Sequence, residues 1–412
     1  MGGILGINGL GRIGKLLLWR QAAERNFDEI IVNTGRAAGT SLSDVAYYIE
    51  RDSTYGALKK YLYGFKDHPA ITNVDDGTGT MEINGVKVTV LRKSRNPKDI
   101  GWKDHGAEIV VDTTGAFVDP VKPPDDPKGS LRGHFDSGAK KVILSAPFKI
   151  KDKSKPMPDD AVTAIMGINE HDYNPARHKL ISAASCTTTC LAHMFKPLIN
   201  KIGPKKILTA SMATVHAATG TQEVLDRLAK AGDKDLRKNR SIFNNIILTT
   251  TGAADTLALV IPEMSQIGFI AESVRIPTTT GSLVILIVNI QEEPDRILID
   301  RDYINGIYEE AAANSPHGHI VYSKEQNVSS DIISMPLAAV IIEGHETHTR
   351  TAEITFDAER LVGVKKEFLE GLKDNMVRIP MTQTVIYGWY DNEMGSYVNV
   401  LSMLTKMIAE DY

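Results

Sequence analysis

Cys186 and His216 are the side chains in this sequence best suited to nucleophilic chemistry. Cys186 stands in Ser185-Cys186-Thr187-Thr188-Thr189-Cys190, after a short apolar run from Leu180 to Ser182 and before a helical pattern of Leu191, Met194, Phe195, Leu198 and Ile199. That order places the thiol at or near a helix N-terminus. There the positive end of the helix dipole stabilises a thiolate and lowers a thiol pKa from about 8.5. Cys190 lies one turn further in and reads as a buried small residue. Downstream comes Thr214-Val215-His216-Ala217-Ala218-Thr219-Gly220-Thr221-Gln222. A lone thiol is usually structural, and a lone histidine usually a surface or core residue. Together they make a nucleophile with its base.

The chain opens on a second constellation. Gly6-Ile7-Asn8-Gly9-Leu10-Gly11-Arg12-Ile13-Gly14 holds G-x-G-x-x-G between a predicted strand, Ile4 to Asn8, and a predicted helix, Lys15 to Ala23. Gly9 makes the tight turn, Gly11 admits a pyrophosphate against the backbone, and Gly14 lets helix and strand pack closely. The helix N-terminus then offers free N–H groups to the diphosphate. A second strand, Glu29 to Asn33, should end in an acid that binds the adenine ribose 2′-hydroxyl. It ends Asn33-Thr34-Gly35-Arg36 instead, with no carboxylate at Thr34 and a cation at Arg36. A hydroxyl and a cation there would tolerate or favour a 2′-phosphate, so the expectation leans to NADP, or to use of both NADP and NAD. The alternative is an Arg36 that only faces solvent.

Rigid elements must carry these residues. The first third alternates apolar runs with helical patterns, the rhythm of a parallel sheet, and further strands are expected at Glu108–Thr113, Lys141–Ser145, Val162–Met166 and Leu180–Ser182. From about residue 205 the runs lengthen and alternate, as in Ile207–Val215 and Gly281–Gln291, which suits a mostly antiparallel sheet. The expected fold class is α/β: a doubly wound Rossmann domain over residues 1–185, then an α/β catalytic domain over 186–392. A C-terminal helix at about 393–412 should pack back on the first domain. The proline-rich segment 119–136 and the stretch 149–160 read as surface loops or insertions.

At 412 residues the chain is long enough for two domains, and 42% hydrophobic residues with 24% charged suit a soluble globular protein. A net charge of -4 gives no argument for a nucleic-acid or anionic-membrane partner. The short basic run from Lys234 to Arg240, with Arg237 and Lys238 inside it, suits a small anion better than a polyanion. Two cysteines four residues apart form neither a disulfide scaffold nor a zinc site, and Gly344-His-Glu-Thr-His348 lacks metal spacing, so no metal is expected. No apolar run reaches the roughly 18 residues of a membrane span, and no basic region precedes the N-terminal apolar stretch. A reducing cytoplasm, with free thiols, is the expected location.

The run SCTTTC resembles the SCTTNC signature of glyceraldehyde-3-phosphate dehydrogenases, and GINGLGRIG resembles that family's first turn almost letter for letter. TVHAATGTQ, KDLRKNR, TTTGAA, ESVRIPT and WYDNE follow in the family's order, so the resemblance runs from residue 4 to about 405. It implies that Cys186 attacks an aldehyde, His216 takes the proton, hydride passes to the dinucleotide, and inorganic phosphate attacks the resulting thioester. Thr219, Thr221 and Arg275 match the substrate-phosphate residues. Ser185, Thr187, Thr251 and Gly252 match the attacking-phosphate residues, with Arg237 or Lys238 nearby. Asn392 matches the residue that holds the nicotinamide carboxamide; Arg12, Ile13, Thr114, Gly115 and Ser145 match cofactor contacts. The implied partners are a phosphorylated aldehyde, inorganic phosphate and further copies of the chain in a homotetramer. Erythrose 4-phosphate, a semialdehyde, or a catalytically weak binding homologue are the rival readings.

The departures are Thr189 for Asn, His193 for Pro, Ser396 for an aromatic residue, and Gly232 near a proline that crowds the ribose in NAD-specific members. The last points again to NADP. Extra length falls at 119–136, 149–160 and about 334–385.

Overall fold

The computed structural model describes residues 2–293, 298–333, 335, 337–360, 362–363, 365–372 and 375–412. Two large sheets organise the chain. The first contains β1 (Ile4–Asn8), β2 (Glu29–Asn33), β3 (Ile71–Asp75), β4 (Thr80–Ile83), β5 (Val86–Leu91), β6 (Ile109–Asp112), β7 (Lys141–Leu144), β8 (Ala161–Thr163) and β9 (Leu180–Ser182). Their spatial order is β8-β9-β7-β6-β1-β2-β5-β4-β3. From β8 to β5 every pairing is parallel; β4 and β3 close one edge antiparallel. Ile30, Ile31, Val32, Val110, Val111, Val142 and Ile143 are buried. Strands covered on both faces carry continuous apolar runs rather than alternation. The order reverses beside β1, so the carboxyl ends of β1, β2 and β6 border a crevice of the kind where ligands bind in open α/β sheets.

Helix α1 (Arg12–Glu24) starts three residues before the expected Lys15, directly after Gly11. The predicted strand Val162–Met166 is cut to Ala161–Thr163. Asn169 is the reason: its Oδ1 accepts from Ile165 N–H and its Nδ2 donates to Thr163 O, both at 2.9 Å, and the chain turns. The segment 119–136 is more than surface loop. Ser130, Leu131 and His134 are buried, and Leu131 joins a core with Trp102, Val110 and Val142.

The second sheet contains β10 (Ile207–Ala217), β11 (Ile247–Thr249), β12 (Gly268–Ile276), β13 (Ser282–Gln291), β14 (Ile320–Ser323), β15 (Val340–Glu343), β16 (His348–Asp357) and β17 (Met376–Tyr390). The order is β11-β12-β10-β13-β17-β15-β14, with β16 also paired to β17. Most pairings are antiparallel, as expected. β10 with β12, and β14 with β15, are parallel. Helix α2 (Cys186–Ile202) links the two halves, burying Cys190, Leu191, Met194, Phe195 and Leu198. Much of the segment 334–385 is the β16–β17 ribbon, whose β16 is largely exposed; residues 334, 336, 361, 364 and 373–374 in that range lie outside the described residues. Helix α3 (Asn399–Glu410) returns to α1, where Gln21 Nε2 donates to Ser402 Oγ at 3.1 Å.

Candidate active site

Cys186 is the first residue of α2, delivered by an abrupt turn. β9 ends at Ser182, Ala184 takes a left-handed φ of 54°, and Ser185 caps the helix by accepting from Thr188 N–H at 3.2 Å. A non-glycine residue in that region costs about 1–2 kcal/mol, and here it lies two residues from Cys186. His216 comes from the end of β10. The parallel register sets it opposite Arg275 on β12, while antiparallel β13 and β17 bring Ser282 and Tyr390 to the same edge. One sheet edge therefore faces the helix end.

The Cys186 Sγ to His216 Nε2 distance is 3.4 Å, within hydrogen-bonding reach for sulfur. Nδ1 of His216 lies 2.8 Å from Ala217 O and also contacts an Arg275 guanidinium nitrogen. Arg275 reaches Ala217 O as well, at 3.1 Å, and its buried Nε has no hydrogen-bond partner among the described residues. Thr187 and Thr214 hydroxyls both meet Tyr390 OH at 2.9 Å. The Tyr390 ring stands edge-on to His216, with centroids 5.8 Å apart. Sequence reasoning missed Tyr390, although its place in WYDNE beside Asn392 was a usable signal.

The electrostatics overturn one expectation. Burial pushes the Cys186 thiol up, against the opposing pull of Arg275 and of bonds from Thr187. Burial, helped by Arg275, pushes His216 down to about 3. Removal from water thus opposes the dipole of α2 at the sulfur and favours the uncharged form of both groups. The sulfur is deep among its neighbours, while the residue as a whole keeps intermediate exposure.

The residues expected to bind anions divide. Thr219 and Thr221 hydroxyls sit 3.0 Å apart, and Thr219 is anchored by its N–H to Gln222 Oε1 at 2.8 Å. Thr251 and Gly252 precede the helix Ala253–Val260; Thr251 Oγ1 accepts from Ala253 N–H at 3.2 Å. That helix packs on α2. Arg237 instead donates to Asp235 at 2.8 Å, on the turn Leu236–Asn239, and both it and Lys238 are exposed. They stand outside the hydrogen-bonded cluster around Cys186.

The dinucleotide residues meet at the carboxyl ends of β1 and β2. Gly9 has φ 98°, and a Cβ on Gly14 would strike Gly9 O, so both positions require glycine. No side chain caps α1 and no acid sits in its first turn, which leaves its N–H groups to an external anion. A cavity of about 510 Å³ opens there, lined by Leu10, Gly11, Thr34, Arg36, Asp44 and Tyr48 among others. These residues fit a dinucleotide. The Thr34 hydroxyl donates to Arg36 O at 2.6 Å, and Arg36 is exposed. Asn33 is buried beneath: its Nδ2 donates to Asn8 Oδ1 and to Ser94 O, each at 2.9 Å. Asn8 donates in turn to Asp112, which also accepts from the Thr114 N–H and hydroxyl and faces His134 Nε2 at 3.0 Å. This buried chain, anchored by Trp102 on His134 Nδ1, fixes the Thr114-Gly115 loop from below. Neither Asp112 nor His134 was legible as part of it. Ser145 follows β7, its N–H bonded to Asp112 O at 2.9 Å.

Arg12 does not stand free. Its guanidinium joins Asp52 and Glu393, with Nε 3.0 Å from Glu393 Oε1, while Lys15 Nζ reaches Asp52 at 2.7 Å. It ties the first turn to the segment after Asn392, where a single π-turn spans Met394–Val398. Such turns are frequent at functional sites. Ser282 Oγ accepts from Ala217 N–H and donates to Asn392 Oδ1, both at 3.0 Å, so the Asn392 amide keeps its Nδ2 donors for another acceptor. At the departures, the buried Thr189 hydroxyl has no partner among the described residues, and Ser396 Oγ accepts from Asp391 N–H at 3.0 Å. Among the described residues, no group of three or more His, Cys, Asp or Glu side chains has metal-binding geometry, and no helix is long and apolar enough to cross a membrane.

Residues 4–120 match the family model for the glyceraldehyde 3-phosphate dehydrogenase NAD binding domain, and residues 185–357 match that for its C-terminal domain. A glyceraldehyde-3-phosphate dehydrogenase of Streptomyces coelicolor is 34% identical over 407 residues, covering 98% of each chain. Glyceraldehyde-3-phosphate dehydrogenase 2 of Bacillus subtilis is 32% identical, over 98% of this chain and 96% of its own. A chloroplastic one of Arabidopsis thaliana is 32% identical over 98% of this chain and 78% of its own.

Proposed function

The chain belongs to the glyceraldehyde-3-phosphate dehydrogenase family, and from that premise we propose that it oxidises glyceraldehyde 3-phosphate to 1,3-bisphosphoglycerate through a thioester on Cys186. A bound nicotinamide dinucleotide supplies the hydride acceptor. We take residues 1–185 as its domain and 186–392 as the catalytic one, in a cytoplasmic homotetramer.

The observation that carries the reading is the 3.4 Å approach of Cys186 Sγ to His216 Nε2. Burial favours the uncharged form of both groups, so in this reading the proton moves as the sulfur attacks. The thiol proton passes to Nε2, and the sulfur bonds to the aldehyde carbon. The resulting alkoxide accepts from the Cys186 N–H and from Nε2–H. Loss of hydride from that carbon leaves the thioester, and phosphate oxygen attacks it to release the acyl phosphate and the thiol.

Arg275 has a part in preparing the base. A guanidinium can only donate and Ala217 O can only accept, so the two contacts at Nδ1 call for opposite tautomers of the His216 ring. Substrate phosphate that draws Arg275 towards Thr219 and Thr221 leaves Nδ1–H on Ala217 O. Nε2 then faces the sulfur as a bare lone pair.

For the cofactor, Thr34 and the exposed Arg36 support NADP, or use of both NADP and NAD. Steady-state rates with each should give an NADP kcat/KM at least comparable to that for NAD; a marked NAD preference contradicts the role given to these residues. The reaction itself is tested by assaying glyceraldehyde 3-phosphate with and without inorganic phosphate. Turnover should require phosphate, and undiminished turnover without it would overturn the thioester route.

A further inference from the structure

A second pair of imidazoles takes no part in that chemistry. His193 lies two turns into α2, where the family resemblance expects proline, and is 2% exposed. Its Nδ1 is 2.8 Å from Thr189 O. A carbonyl only accepts, so Nδ1 carries the ring proton and Nε2 is a bare lone pair. Nε2 has no hydrogen-bond partner among the described residues. The Met166 carbonyl accepts from the ring in its charged form, and in the neutral ring with the proton on Nδ1 it gives Nε2 no donor. Burial holds the ring neutral, its pKa pushed down to about 4.

His319, 1% exposed, comes from the strand-entry loop facing this helix. Its Nε2 is 3.4 Å from Met403 Sδ. A thioether is a weak acceptor, so Nε2 carries the proton and Nδ1 is the second bare lone pair. The two rings stand 5.2 Å apart at 64°. Both free nitrogens face the empty side-chain position of Gly167, which has φ 80°. A methyl group there would collide with His319 Nδ1 and lie 3.0 Å from His193 Nε2. A cavity of about 420 Å³, lined by Gly167, His193, Lys196, Asn200 and His319 among others, opens onto this point and gives it an entry path.

Two convergent lone pairs on neutral imidazoles, each ring pinned through its other nitrogen, are what a borderline divalent metal takes as ligands. We propose that His193 and His319 form a two-imidazole site for a divalent transition metal of the zinc type, its shell completed by solvent from the cavity. At nitrogen–metal distances of about 2.0–2.1 Å the ion sits on the cavity side of the Gly167 side-chain position, clear of its Cα, with both rings closing on it. An ordered water donating to both nitrogens would satisfy the same lone pairs, and the test separates the two.

The probe is ZnCl2, titrated by calorimetry at pH 7.5 into the full-length, demetallated Cys186→Ser chain, which removes the reactive thiol as a ligand. One ion per chain should bind in the micromolar range. His193→Gln and His319→Gln should each weaken binding at least about tenfold, while His345→Gln leaves it unchanged. Should either variant fold poorly, X-ray absorption of the Co2+-loaded Cys186→Ser chain serves instead, and should count two imidazole nitrogens per ion. Absence of saturable binding, binding indifferent to both substitutions, or a cobalt shell without two imidazoles would overturn the proposal and leave water as the occupant.

Discussion

At the scale of the residue, the sulfur's reactivity is set by a contest between desolvation and its neighbours. The helix position of Cys186 was readable from the order of apolar residues around it, but the depth of the site was not. Depth depends on Tyr390, Thr214 and Arg275, which come from strands far along the chain. The consequence is measurable. With the thiol raised and His216 lowered to about 3, alkylation of Cys186 by iodoacetamide in the free enzyme should still be rising above pH 9. A plateau below pH 7 would indicate a stable ion pair and contradict the neutral resting state. Replacing His216 with Asn should lower kcat by about 10²–10⁴-fold, the usual worth of a positioned base, while dinucleotide binding followed by fluorescence stays within a few-fold of the parent.

Elements explain why the site residues meet. The glycine turn, β1, β2 and the onset of α2 were legible because their signals are local: glycines at fixed spacing, short apolar runs, and a helical pattern beginning just after the cysteine. The pairing of β10 with β12 was not, since parallel register across some sixty residues leaves no periodicity behind. It is nonetheless what sets His216 beside Arg275. Nor could sequence show Arg12 closing on Glu393, which joins α1 to the π-turn following Asn392. Removing that carboxylate leaves a part-buried guanidinium with one partner fewer. Glu393→Ala should cost about 1–3 kcal/mol in urea unfolding and raise KM for the dinucleotide more than it lowers kcat. Unchanged stability and an unchanged KM would reduce the pair to a surface contact.

Over the whole molecule, the buried histidines His216, His193 and His319 contribute to the response to acid. His216, His193 and His319 have folded-state values of about 3, 4 and 3, below the unfolded value of about 6.5. The unfolded chain therefore binds more protons between those limits. Stability is full above about pH 6.5 and falls as pH drops towards 4, by about 1.4 kcal/mol per pH unit for each histidine. His319→Gln should flatten that acid limb by roughly one proton's worth, and an unaltered slope would contradict it. Leu228, Phe243, Ile246 and Ile270 are each exposed on the second half of the chain, and large exposed apolar side chains are what oligomer contacts cover. Sedimentation should give a tetramer, and Ile270→Asp should shift it to smaller species. The two-sheet plan was evident from the rhythm of the sequence, whereas the burial of segment 119–136 depended on a core shared with Trp102. All of this serves one sulfur, and the most direct test is to trap what it carries. Mixing the enzyme with glyceraldehyde 3-phosphate and dinucleotide in the absence of phosphate, then quenching for peptide mass spectrometry, should show an acyl group on Cys186 that disappears when phosphate is added. Reduced dinucleotide formed with no adduct on Cys186, or the same adduct in Cys186→Ser, would contradict the account.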